Sequence, residues 1–135
     1  PYAVYGQILH TADISLLPLR HTALNRMKSD LKFIERAGHG AVVLASPTVY
    51  ASSVQDGLTG VLYHSPKEFS AKLAELIERP ERRRIIARSA YLYVKENRLL
   101  SQHYEERLEW YRSLAQRQPE LTAELRERLC RNGRV

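Results

Sequence analysis

The sequence predicts an α/β fold, a doubly wound parallel sheet with additional C-terminal helices, and three observations predict it. Two short, continuously apolar runs, Ile14 to Leu17 and Ala41 to Ala45, are each bounded by turn residues. Strands buried on both faces read this way, and such strands belong to parallel sheets. Between them Met27, Leu31, Ile34 and Gly38 recur at helical spacing, which predicts a crossover helix from 28 to 38 with that side packed on the sheet. From Ser65 onward only helical patterns follow.

Residues 3 to 11 predict a short helix leading into the Ile14 strand. Asp13 stands at the amino end of that strand, where a structural role is expected. After the Ala45 strand, Pro47 to Ser53 is rich in turn residues, and Asp56-Gly57-Leu58-Thr59-Gly60 predicts a tight turn into a strand from Val61 to Tyr63.

Ser65-Pro66-Lys67-Glu68 is a helix start, with a serine cap, proline at the first position and glutamate three after the cap. Phe69, Leu73, Leu76 and Ile77 give this helix its buried face. Pro80 separates it from a second helix, Glu81 to Glu96, with Ile85, Ala87, Ala90, Tyr91 and Val94 available for packing. A third pattern, Leu100 to Ala115, carries Tyr104, Leu108, Tyr111 and Ala115 on one side with Trp110 beside them, and aromatics at this spacing predict core. Pro119 to Arg131 predicts a last amphipathic helix through Leu121, Leu125 and Leu129, stopped by Asn132-Gly133.

The bulk properties exclude several classes. A chain of 135 residues is the length of one ordinary domain. One cysteine, Cys130, rules out an internal disulfide and is too few for a structural zinc site. The chain lacks an initial methionine, a signal-like segment and an apolar run long enough to cross a bilayer, so it reads as part of a longer protein in a cytoplasmic, at most membrane-peripheral, setting.

The net charge of +6 and pI near 9.7 favour anionic partners. The arginine run from Arg79 to Arg88 contains Ile85, Ile86 and Ala87, which reads as a solvated helix face, and no nucleic-acid partner is expected. Neither G-x-G-x-x-G nor a P-loop is present, and no G-x-S-x-G elbow accompanies Ser46, Ser52 or Ser53. The five histidines show no metal spacing, and no metal is expected. His21 is the one on a loop of interest, although a surface histidine is the simpler reading.

A strand, crossover, strand unit is right-handed, which puts the loop from Pro18 to Met27 at the carboxyl edge of the sheet, where open α/β sheets bind ligands. The crossover helix then aims its first N–H groups, near Ser29, Asp30 and Leu31, at that edge, and Lys28 and Lys32 add positive charge suited to a diphosphate. Glu35, one turn further, offers only hydrogen-bond acceptors, for which paired ribose hydroxyls are natural donors. The competing reading makes Lys28, Lys32 and Glu35 a surface ladder; spacing alone leaves both open.

At this point the residues carry a resemblance. Asp13-Ile-Ser-Leu-Leu-Pro-Leu19, then Asn25-Arg-Met-Lys-Ser-Asp-Leu-Lys-Phe-Ile-Glu35, Gly40-Ala-Val-Val-Leu-Ala-Ser46, Tyr50 and Asp56-Gly-Leu-Thr-Gly60 resemble the carboxyl-terminal, donor-binding half of a GT-B fold, group 1 type glycosyltransferase, over residues 10 to 110. The resemblance implies a Rossmann-like nucleotide-sugar-binding domain at 1–98, truncated at its amino end, and a C-terminal helical extension at 99–135. It implies that Glu35, the second glutamate of an E-x7-E motif, takes the donor ribose, with Lys28 and Lys32 toward the diphosphate and Ser29, Asp30 and Leu31 at the helix start.

Two positions depart from the family pattern: Met27 stands where the first glutamate is usual, and Ala41 replaces the proline after the glycine. Asn25 and Lys28 are the polar replacements nearest the missing glutamate. No cofactor is implied beyond the nucleoside diphosphate sugar donor. The acceptor, a glycan or lipid-linked hydroxyl, would be bound through a preceding domain, so this chain alone is expected to transfer little sugar. The C-terminal helices are candidates for self-association or peripheral membrane contact. The rival expectation is a noncatalytic α/β interaction domain that has lost its donor site.

Overall fold

The computed structural model describes residues 2–132, so Gly133 of the expected helix stop lies outside the described residues. Two compact units divide between Arg98 and Leu99. In the first, helix α1 (Tyr2–Thr11) leads into strand β1 (Ile14–Leu17), and the short helix α2 (Ala23–Arg26) and helix α3 (Leu31–Gly38) connect it to β2 (Val42–Ala45). A single-turn helix, α4 (Pro47–Tyr50), precedes β3 (Val61–Leu62), and helices α5 (Pro66–Glu78) and α6 (Pro80–Asn97) complete the unit.

The three strands form one parallel sheet in the order β1, β2, β3, with Ile14 opposite Val42 and Leu44 opposite Val61. This is the Rossmann-like arrangement that the two apolar runs predict. Every residue of β2 is buried because helices cover both sheet faces. Phe33, Ala37, Tyr50, Ala90 and Val94 pack on one face beside Val43 and Ala45. Leu76 and Ile86 pack on the other beside Val42, Leu44 and Val61. Burial of this kind contributes roughly 25 cal/mol per Å² of apolar surface, so the central strand dominates the core.

The crossover helix starts later than its spacing predicts. Thr22 caps α2, the Lys28 N–H closes on the Asn25 carbonyl at 3.2 Å, and the chain restarts as a helix only after Asp30. Met27 is therefore off the helix and 85% exposed, and Leu31 points to solvent. The buried side is carried by Phe33 and Ala37, one turn apart, with Ile34 packed partly against them. Lys28, on the turn, does not share a helix face with Lys32 and Glu35.

Ser65 caps α5 by accepting the Glu68 N–H at 3.2 Å, and the Glu68 carboxylate accepts the His64 N–H at 3.0 Å. Leu76 is buried as expected, whereas Ile77 lies 60% exposed because the inward side of α5 runs through Phe69, Leu73 and Leu76. On α6 the four-residue series Ile86, Ala90, Val94, with Ala87, faces the sheet, which turns Ile85 and Tyr91 outward. The arginines before it are engaged along the helix: Arg82 with Glu75, Arg84 with Glu81, and Arg83 with Asp13 and the Leu76 carbonyl.

The second unit contains a 3₁₀ turn (Leu100–Gln102) and helices α7 (Tyr104–Gln116) and α8 (Gln118–Arg131). The aromatic core expected there does not form. Tyr104, Leu108, Trp110 and Tyr111 are exposed, and neither helix has a buried residue, because a pair of helices by itself encloses no core. Among the described residues, no helix is long and apolar enough to cross a membrane.

Candidate functional site

The carboxyl ends of the three strands feed one cleft. Residues Pro18 to His21 after β1, Ser46 to Thr48 after β2, and Tyr63 with His64 after β3 line a cavity of about 530 Å³. Its floor is built by two hydroxyls that grip one residue: Ser46 Oγ accepts the Leu19 N–H at 2.9 Å, and Thr48 Oγ1 donates to the Leu19 carbonyl at 3.0 Å. A buried hydroxyl at a strand end thereby fixes the loop that carries Arg20 and His21.

That loop is further held by Asn25, whose amide donates to the Arg20 carbonyl at 2.9 Å. Asn25 thus shapes the loop. Beside the cleft, and sharing Pro47 and Thr48 with it, a second cavity of about 350 Å³ is lined by Arg26, Lys28 and Ser52. Arg20, Arg26 and Lys28 make this edge cationic, which favours an anionic ligand.

At the start of α3 the expected N–H groups shift by one residue. Ser29 and Asp30 precede the helix, and the Phe33 and Ile34 N–H groups already donate to the Asp30 carbonyl at 2.8 and 3.3 Å. The Leu31 and Lys32 N–H groups, the first two of the helix, have no protein acceptor among the described residues. The Asp30 carboxylate does not cap the helix. It accepts two hydrogen bonds from Arg98, at 2.8 and 3.0 Å, and one from the Ser53 hydroxyl at 2.5 Å. Burial opposes its ionisation, but the Arg98 fork and Ser53 outweigh this and hold its pKa below the usual aspartate range.

Glu35 sits one turn into α3 with its side chain 24% exposed. Its Oε2 accepts from Tyr5 Oη at 3.0 Å and from Lys32 Nζ at 3.0 Å, and Lys32 also donates to the Tyr5 oxygen at 2.9 Å. Burial works against the charge, yet Lys32 and Tyr5 keep the carboxyl below its usual pKa, while Tyr5 and Glu35 raise that of Lys32. His39 closes the helix by pairing its Nδ1 with the Glu35 carbonyl at 2.7 Å.

The sequence-predicted residues thus separate into groups. Lys32 and Glu35 meet; Lys28 stands with Arg26 at the second cavity; Asp30 is committed to Arg98; Asn25 holds the loop; Ser29 is exposed on the turn. Sequence reasoning passed over Tyr5, Arg98, Arg20, His64 and Thr48. Tyr5 and Arg98 act across 30 and 68 positions and leave no local signal. Arg20 and Thr48 sit just past strand ends, a placement that marks the ligand edge and that could have found them.

Among the described residues no cluster of three or more histidine, cysteine, aspartate or glutamate side chains is arranged to hold a metal. The arrangement offers instead a cationic cleft for an anion, and a shielded carboxylate for hydroxyl donors.

In comparison with known proteins, the family model described as glycosyl transferase-like matches residues 1–113. No curated protein and no solved structure matches.

Proposed function

The chain belongs to the glycosyl transferase-like family, as a group 1 type domain, and from that premise we propose that it binds the nucleoside diphosphate sugar donor for transfer to a glycan or other hydroxyl acceptor. The observation that carries this reading is Glu35: an ionised, partly shielded carboxylate, one turn into the helix that starts at the cationic carboxyl edge. Carboxylates of this kind select hydroxyl donors, and the ribose supplies two.

In this reading the diphosphate lies against the Leu31 and Lys32 N–H groups with Lys28 and Arg26, and Arg20 closes the other side of the edge. Fixed donors of this sort stabilise the charge that gathers on a departing diphosphate without reorganising. The Lys32 ammonium acts elsewhere: it is engaged by Glu35 and Tyr5, so it orients the ribose end. Acceptor binding is assigned to a further domain, and the isolated chain is expected to transfer little sugar.

Titration of UDP, GDP and ADP against wild type and Glu35→Ala, followed by ligand-observed NMR, tests the reading. At least one nucleotide is expected to bind wild type and to weaken about tenfold in the variant, the loss of one hydrogen-bonded charged partner. Failure of all three to bind wild type would favour a noncatalytic α/β interaction domain. One observation speaks for that second reading: the position of the family's usual first glutamate is an exposed methionine, Met27, on a turn.

A further inference from the structure

The closed triangle of Tyr5, Lys32 and Glu35 does more than satisfy three polar groups. Tyr5 comes from α1 and Glu35 from α3, 30 positions apart. The Arg36 guanidinium stands 5.3 Å from the Tyr5 ring centroid, while Lys32 Nζ, 5.1 Å from it, lies at the hydroxyl end of the ring. The guanidinium against the ring helps to fix it, and the fixed ring fixes where its hydroxyl points.

Both donors of the triangle converge on one carboxylate oxygen. Oε2 accepts Tyr5 and Lys32 at 3.0 Å each, which uses both of its in-plane lone pairs. Oε1 has no partner among the described residues. A glutamate with three free torsions would have to be ordered by its ligand, whereas this one is ordered beforehand. Lys32 alone would not achieve that, since exposed pairs three residues apart on a helix are weak. The Tyr5 hydroxyl, polarised by the ammonium 2.9 Å away, supplies a second anchor from a separate element.

We propose that Tyr5 is a positioning residue of the donor site, which fills Glu35 Oε2 and so presents Oε1 to the ribose hydroxyls. The inference rests on the donor-site reading above. It assigns Tyr5 no contact with the reacting atoms.

The test compares UDP, GDP and ADP with their 2′,3′-dideoxy counterparts, by calorimetry, on wild type and Tyr5→Phe. Phenylalanine keeps the ring and its Arg36 contact, and a thermal melt confirms that the variant folds. Wild type is expected to prefer the ribose form about tenfold, and Tyr5→Phe to prefer it less than about threefold, with dideoxy affinity unchanged. A merely packing role for Tyr5 would move both affinities together and leave the ratio as it was, which overturns the proposal. A ratio that rises in Tyr5→Phe also overturns it, because Tyr5 would then be competing with the ribose. Wild type that binds neither form overturns the donor-site reading itself, and with it this inference.

Discussion

Asp30 and Arg98 meet across 68 positions in a two-pronged ion pair, with contacts of 2.8 and 3.0 Å between the turn before α3 and the residue that ends α6. The Ser53 hydroxyl completes the Asp30 partners, so three segments converge on one carboxylate. Both side chains are largely shielded, at 15% and 27% exposure for aspartate and arginine.

Arg98→Ala is expected to destabilise the fold by about 2–3 kcal/mol, somewhat below the cost of breaking a fully buried pair because water still reaches this one. Urea denaturation measures it. Removing both charges, in Asp30→Asn with Arg98→Met, should cost less than Arg98→Ala alone, since no shielded carboxylate is then left without its partner. Equal or larger loss in the double variant would show that the pair acts by something other than charge.

The same pair sets an acid response. Burial raises the Asp30 pKa, the Arg98 and Ser53 contacts lower it more, and the net folded value lies below the ordinary one. The unfolded chain therefore binds this proton first as pH falls. The pair's contribution is complete above the unfolded aspartate pKa and is lost as pH drops from there through the folded value. Denaturation midpoints should fall between about pH 6 and pH 3 in wild type, and fall less in Asp30→Asn. Identical slopes would remove Asp30 from the account.

What was legible in the sequence was what depends on neighbours in sequence. The β1 and β2 runs, the Ser65 cap and the tight turn at Asp56 to Gly60 are set by local chemistry, and they stand where expected. The phase of α3 was not legible, because Met27 and Leu31 fit the helical period as well as Phe33 and Ala37 do. Only the cap at Thr22 and the restart at Asp30 decide which set faces the sheet. Glu35 could be named as a candidate from its spacing and its resemblance. Its partner Tyr5 could not, since nothing in either segment encodes a contact between α1 and α3.

Two glycines of the turn before β3 should respond to alanine for opposite reasons. A Cβ at Gly60 would stand 2.7 Å from both Val43 Cγ2 and Val54 Cγ1, two buried methyls of one core cluster. Gly60→Ala must displace them, at about 1–3 kcal/mol. At Gly57 there is open space but φ is +77°, so Gly57→Ala costs about 1–2 kcal/mol through backbone strain. Gly57→Asn separates the two causes: asparagine tolerates that conformation and should recover part of the loss, whereas no larger residue at Gly60 should recover any. Chemical denaturation of these variants provides the comparison.

Ser46→Ala probes whether the floor of the cleft is held by its hydroxyls. Ser46 is 6% exposed, and its Oγ is the acceptor for the Leu19 N–H. Alanine fits the space but leaves that N–H without an acceptor, an expected cost of about 1–2 kcal/mol. The opposite contact, from Thr48 to the Leu19 carbonyl, survives in this variant, so the loop should loosen without leaving the edge. Amide exchange at Leu19 is the direct measurement and should accelerate about tenfold or more, while exchange in β2 changes only by the global loss. Because the same loop carries Arg20, nucleoside diphosphate affinity should weaken together with Leu19 protection; Ser46→Thr, which keeps the acceptor, should retain both. Accelerated exchange with unchanged affinity would separate the Ser46 clamp from ligand binding and place the anion nearer Arg26 and Lys28.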